Sequence, residues 1–297
     1  SGQMPRIVGL GYASKLFRNN KNLSDMHNFS INGNEVIFGT IGDASTSEGH
    51  FWESINACGV LQIPVVMSIW DDGYGISVPS EYHTTRNDLS KVLSGFQRSS
   101  KKENGFEIFT VKAWDYEGLL NAYSSAVNYA RKDHVPSIIH VKDVTQPQGH
   151  TTSGSHERYK SKERLQWEKD FCCIKRMRSW IIKNNIADNK ELDKIEKKAL
   201  EKAKLARDIS WKAYRKPIEE DLSNAVAIIT RIAQHSPKNK MEILKIREDL
   251  SKTLQPIKSD VYRSLKLVQR VIRSENNIAK SYLLNLISEF EKKYFNP

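Results

Sequence analysis

The stretch EVIFGTIGDASTSEGHFWESINACGVLQIPVVMSIWDDGYGIS, residues 35–77, decides the fold. EVIFGTI (35–41) and PVVMSIW (64–70) are short, β-branched and almost continuously apolar, the pattern of strands buried on both faces of a parallel sheet. Between them Phe51, Ile55, Cys58 and Leu61 recur at helical spacing, giving a strand–helix–strand unit. A second unit follows: FEIFTVKA (106–113), a helix with Tyr116, Leu119, Leu120, Tyr123 and Val127 on one face, then PSIIHVKD (136–143). Such alternation predicts an α/β fold with a doubly wound, mostly parallel sheet.

Asp43 and Asp72 each lie just past the end of a strand. In an open parallel sheet that is where ligands bind, so the two carboxylates are expected in one crevice. Like charges that close repel unless a cation lies between them, and Mg²⁺, which takes oxygen ligands and shares its shell with phosphates, is suited to the place. A helix expected to open at Ser45–Glu48 adds free backbone N–H groups, a seat for phosphate. No GxxxxGK loop is present, which argues against a P-loop nucleotide site. Asp also caps helices, and DDG is an ordinary turn, so spacing alone leaves a purely structural reading open.

The chain has 297 residues, 39% of them hydrophobic, enough for one large domain or two ordinary ones and too apolar for a disordered protein. No run approaches the roughly 18 apolar residues of a membrane span, and SGQMPRIVGL lacks a signal-peptide layout. Cys58 and the adjacent Cys172 and Cys173 offer neither a disulfide framework nor a CxxC metal spacing, and buried, inert thiols in a reducing cytoplasm are expected. The net charge of +11 is unevenly placed: residues 1–150 are close to neutral, and residues 151–297 carry the excess. Fourteen of the 15 glycines precede residue 150, so two kinds of architecture join near there.

The second half reads as an all-helical C-terminal region. Leu165, Phe171, Ile174, Met177, Trp180 and Ile181, then Leu192, Ile195 and Leu200, recur at helical spacing, with breaks expected at NNIADN and at Pro217. Two or three further helices follow, broken at QHSPKNK and near Pro256. NKELDKIEKKALEKAKLAR interleaves Glu with Lys, a solvated helix face with ion-pair support; a nucleic-acid patch is the rival reading.

GDAS followed by WDDGYGISVP resembles the thiamine diphosphate motif, usually GDG and then NN about thirty residues on. With the later loop QPQGHTTSGSHERY, residues 1 to about 215 resemble the α-type part of the decarboxylating component of 2-oxo acid dehydrogenase complexes. The branched-chain (2-oxoisovalerate) type is nearest, in the form that fuses α-type and β-type parts in one bacterial polypeptide. The resemblance implies thiamine diphosphate and Mg²⁺ as cofactors, with Asp43 as first metal ligand, Asp72 in the place of the second Asn, and Tyr74 offering its carbonyl. It implies that Gly42, Ala44 and Ser45 approach the diphosphate through main-chain atoms, that Ile76 belongs to the cofactor-binding set, and that His150 borders the reacting carbon. His suits placing a carboxylate or moving a proton near neutral pH. Thr151 stands where animal homologues carry a regulatory phosphoserine.

Three departures stand out: Ala44 for the last Gly of GDG, tolerable if φ there stays negative; Asp72 for Asn; and Trp70 near a position that can be basic. Expected partners are a β-type part, fused or separate, that supplies the catalytic Glu, and a lipoyl-bearing acyltransferase, in a dimer or heterotetramer, with neither nucleic acid nor membrane. The expected layout is an α/β cofactor domain over 1–160, a helical extension over 161–216 and a helical linker or docking region over 217–297. Because SGQMPRIVGLGYASKLF resembles a helix inside the α-type domain, the sequence reads as a fragment holding half a site and inactive alone. Alternatives are a pyruvate or acetoin dehydrogenase of the same fold, or a non-catalytic basic helical module with a vestigial site; transketolase is disfavoured by GHTTSGSHERY.

Overall fold

A computed structural model describes residues 2–150 and 155–295. They form two compact units, residues 1–189 and 190–297.

The first unit is built on four parallel strands: β1 (Ile37–Gly42), β2 (Val65–Trp70), β5 (Glu107–Lys112) and β6 (Ser137–Lys142), in the order β1-β2-β6-β5. All four apolar runs of the sequence are strands. Their pairing sets Ile69 beside His140 and His140 beside Thr110. A two-stranded antiparallel hairpin, β3 (Tyr74–Gly75) with β4 (Val78–Pro79), follows β2.

Side chains alternate across a strand, and the cores divide accordingly. Val65, Met67 and Ile69 of β2 and Ile138 of β6 pack with α1 (Met4–Asn19), α2 (Gly49–Leu61) and α3 (Leu89–Leu93). Val66, Ile139 and Val141 face the opposite way, onto Ala122, Ala126 and Ala130 of α4 (Tyr116–Asp133). The sheet is therefore covered on both sides, as a doubly wound fold requires. Small alanines, rather than the larger residues expected, make the closest contact of α4; Leu120 is exposed and Leu119, Tyr123 and Val127 border the core. Two more helices complete the unit, α5 (Lys162–Asp170) and α6 (Cys173–Lys183).

The helix expected to open at Ser45–Glu48 is divided. Ala44–Ser47 form a single 3₁₀ turn, Glu48 is extended, and α2 begins at Gly49. The turn is held by the Asp43 carbonyl, which accepts from the Thr46 N–H at 3.0 Å and hydroxyl at 2.6 Å.

The second unit gathers the end of α7 (Asn189–Gln234) with α8 (Lys240–Lys252), α9 (Lys258–Val271) and α10 (Lys280–Tyr294) around Ile229, Ile232, Leu250, Leu265, Leu283 and Phe290. The break expected at Pro217 does not occur: α7 runs through it. Proline removes one intrahelical hydrogen bond at a cost of about 3 kcal/mol. Ala213, whose carbonyl loses that donor, is exposed, so water can take its place, and burial of Ile218, Ala225, Ile229 and Ile232 holds the helix together across the gap. Ile195 and Leu200 on the charged segment of α7 are exposed, so that stretch is solvated as its Glu/Lys interleaving implies. No described helix is long and apolar enough to cross a membrane.

The three cysteines are free. Burial pushes the Cys58 thiol up to about 12, which makes it inert. Cys173 departs from expectation: it is exposed, and its thiol donates to the Ala113 carbonyl at 3.5 Å.

Candidate functional site

A cleft of about 460 Å³ opens beyond the carboxyl ends of β1, β2 and β6. Gly42, Asp43, Ala44, Ser45, Asp72, Tyr74, Ile76 and His150 all line it, together with Glu48, Trp70, Gly75, Val144 and Gln146. These eight residues, all implied for the cofactor site by the resemblance, are thus at one cleft, because each lies at or beyond a strand end on the same side of the sheet. A larger groove of about 890 Å³ between β5 and α4 contains none of them.

Asp43 lies on the floor. It is 4% exposed, its amide donates to the Trp70 carbonyl at 3.1 Å, and among the described residues its Oδ2 is buried with no hydrogen-bond partner. Burial first, then the charges of Asp71 and Asp72, push its pKa up to about 7. A buried carboxylate oxygen without a donor is costly unless protonated or paired with a cation.

Asp71 and Asp72 form consecutive side-chain turns. Asp71 Oδ1 accepts from the Gly73 N–H at 3.0 Å and Asp72 Oδ1 from the Tyr74 N–H at 3.2 Å. Gly73 closes the turn at φ +78°, where a side chain would be strained. Burial raises the Asp72 pKa, opposed by the Tyr74 N–H and by Lys160 and Arg164. No described group of three or more His, Cys, Asp or Glu forms a metal cage on its own. Two carboxylates and a carbonyl fit Mg²⁺, which shares its shell with ligand phosphates and waters. The unpartnered Asp43 Oδ2 is the observation that favours that fit.

The departure at Ala44 is accommodated. Its φ is not positive, and its Cβ fills the space over Gly75, where an added Cβ would come within 3.0 Å of it. Ile76 sits at φ +60°, an outlier for a β-branched residue, while its side chain is 57% exposed over the cleft. Backbone strain of this kind clusters at ligand clamps. Trp70 is half-exposed in the cleft with its indole N–H fixed on Ser68 Oγ at 2.9 Å. His150 is exposed; its main chain hydrogen-bonds the Tyr159 hydroxyl, and the Tyr159 ring packs on Tyr74 at 5.7 Å. Thr151 lies outside the described residues.

Sequence reasoning passed over two supporting clusters. Lys160 and Glu168, 5% and 1% exposed, pair at 2.6 Å; Arg164 joins Glu168 at 3.0 Å and donates to the Asp72 carbonyl at 2.7 Å. Lys160 and Arg164 also lie over the Tyr74 ring. Their signal was the opposite-charge spacing of four and eight residues at the start of a helix. The second cluster joins Asp71 to the buried His140, Nε2 to Oδ2 at 2.8 Å. Its signal was a lone His inside the apolar run PSIIHVKD, where a polar side chain must find a partner.

Parallel strands covered on both faces, with an acidic, partly apolar cleft at their carboxyl ends, define a ligand-binding domain of the doubly wound α/β class. The chain belongs to the Dehydrogenase E1 component family, whose sequence model matches residues 1–219. It is 27% identical over 227 residues to the pyruvate dehydrogenase E1 component subunit alpha of Rickettsia bellii, covering 76% of this chain and 62% of that protein. It is 24% identical over 255 residues to the mitochondrial 2-oxoisovalerate dehydrogenase subunit alpha of Homo sapiens, covering 85% of this chain and 50% of that protein. The chain thus spans half to about three-fifths of the length of these curated relatives.

Proposed function

We propose that this chain forms the diphosphate- and metal-holding half of a thiamine diphosphate-dependent 2-oxo acid dehydrogenase. One observation carries the reading: the buried, unpartnered Oδ2 of Asp43 in a cleft it shares with Asp72, at strand ends of a family member. Asp43, Asp72 and the Tyr74 carbonyl hold Mg²⁺. The 3₁₀ turn from Ala44 and the main chain of Gly42 and Ser45 receive the diphosphate, and Trp70 and Ile76 offer apolar surface to the rest of the cofactor. Thiamine diphosphate, when bound, supplies the electron sink for loss of CO₂. His150, exposed at the rim, orients the substrate carboxylate or moves a proton there.

A β-type part contributes the catalytic Glu, and the acyl group passes to a lipoyl carrier on an acyltransferase. Residues 217–297 serve as a linker or docking region, a reading supported by the end of the family match at residue 219. The motifs WDDGYGISVP and GHTTSGSHERY favour a branched-chain 2-oxo acid; the Rickettsia relatives favour pyruvate. We assign the protein to the cytoplasm, in keeping with its free cysteines.

The test is equilibrium binding of thiamine diphosphate with and without Mg²⁺, for the wild type and Asp43→Ala. Mg²⁺-dependent binding that Asp43→Ala removes is the expected result; binding indifferent to both overturns the site. Reduction of an artificial electron acceptor by the chain assembled with its β-type partner, with 2-oxoisovalerate against pyruvate, then decides the branch.

A further inference from the structure

Two consecutive aspartates follow β2, and both fold into the same kind of turn, yet their second oxygens meet different surroundings. Asp72 lines the cleft, and its Oδ2 is uncommitted among the described residues. Asp71 is not among the lining residues; its Oδ2 accepts from His140 Nε2 at 2.8 Å. His140 is completely buried in the middle of β6. Its Nδ1 is 2.7 Å from Ser90 Oγ in α3, and Ser90 Oγ is 2.7 Å from Thr110 Oγ1 in β5. A carboxylate only accepts, so Nε2 carries the proton; in the neutral ring Nδ1 then accepts from Ser90, which accepts from Thr110. The chain Thr110–Ser90–His140–Asp71 runs along one face of the sheet, spanning three strands and a helix beneath the cleft.

We propose that His140 is a positioning residue that selects which of the two adjacent aspartates serves the cleft. By binding the Asp71 carboxylate, it keeps that side chain out of the lining of the cleft that receives the anion. The backbone adds to the hold, since the Asp71 N–H donates to Val141 O at 2.9 Å and its carbonyl accepts from Val144 N–H at 3.0 Å. With the main chain fixed on both sides, only side-chain rotation is left to bring Asp71 into the cleft, and His140 blocks it. Ser90 and Thr110 fix the ring in turn. The proposal rests on the metal–diphosphate reading above and deepens it.

The experiment measures binding of inorganic pyrophosphate to the intact chain by equilibrium dialysis at saturating Mg²⁺, with circular dichroism to verify folding. His140→Leu is expected to weaken binding by roughly tenfold or more, the scale on which supporting partners of metal ligands act. His140→Gln, which keeps a donor for Asp71, is expected to stay near wild type. Adding Asp71→Asn to His140→Leu is expected to restore binding, because the side chain set free is then neutral. If His140→Leu fails to fold, Ser90→Ala carries the test, with a smaller loss that Asp71→Asn again reverses. Unchanged binding in His140→Leu, equal losses in His140→Leu and His140→Gln, or no restoration by Asp71→Asn overturns the proposal. If the wild type shows no Mg²⁺-dependent pyrophosphate binding, or Asp43→Ala leaves it intact, the metal–diphosphate reading itself falls and this proposal with it.

Discussion

Replacing Asp43 by Asn should make the metal-free protein relatively more stable as the pH rises. The folded carboxyl has a pKa of about 7 against an ordinary 3.8. Between those values the native state holds a proton that the unfolded chain has released, so stability is complete below about pH 4 and falls as the pH rises through 7. At about 1.4 kcal/mol for each pH unit, full ionisation costs the fold at most about 4 kcal/mol. Roughly 2.5 kcal/mol of that falls between pH 5 and pH 8.5. Asn does not ionise, and any cost of leaving its amide unpartnered is the same at both pH values, so the change in the difference between the two proteins isolates the charge. For a unit of this size that change corresponds to roughly 5–10 °C in Tm. The assay is thermal unfolding of both proteins at pH 5 and pH 8.5 in chelator, repeated with Mg²⁺ and pyrophosphate. The Asn variant should gain on the wild type at pH 8.5, and the ligands should recover stability in the wild type alone. A Tm difference that stays constant across this range refutes the burial argument and the need for a cation with it.

Lys160→Met leaves Glu168 buried without its nearest cation and should cost about 3 kcal/mol in urea unfolding; adding Glu168→Gln should recover at least half of it. Ile76→Gly removes the left-handed strain of a mostly exposed side chain, so the urea midpoint should rise, by about 1 kcal/mol of stability, while thiamine diphosphate binding weakens. Pro217→Ala restores a donor in the middle of α7 and should stabilise the second unit by up to about 3 kcal/mol, seen as slower exchange of the amides that flank residue 217.

What was legible in the sequence follows from how each feature is encoded. The four strands were legible because burial on both faces leaves a continuous β-branched run, a local signal that needs no knowledge of the partner strand. The floor of the cleft was legible for a related reason: Asp43, Asp72 and Tyr74 follow strand ends, and parallel strands deliver their carboxyl ends to one side. The errors fell where a local rule met a longer-range one. Pro217 is a breaker by propensity, and α7 overrides it because buried residues past the gap hold the helix in register. The turn at Ala44–Ser47 looked like the opening of α2, yet Glu48 is extended and the helix starts at Gly49, so the N–H groups expected of a helix start belong instead to a turn held by Asp43's own carbonyl. The pairings of Asp71 with His140 and of Arg164 with Asp72 join residues 69 and 92 apart in the chain. No periodicity spans such distances, and only the fold reveals them. The acidic residues of the cleft could therefore be found by position alone, whereas the choice between two adjacent aspartates could not, because it is made by a histidine whose role exists only once the strands β2 and β6 are paired.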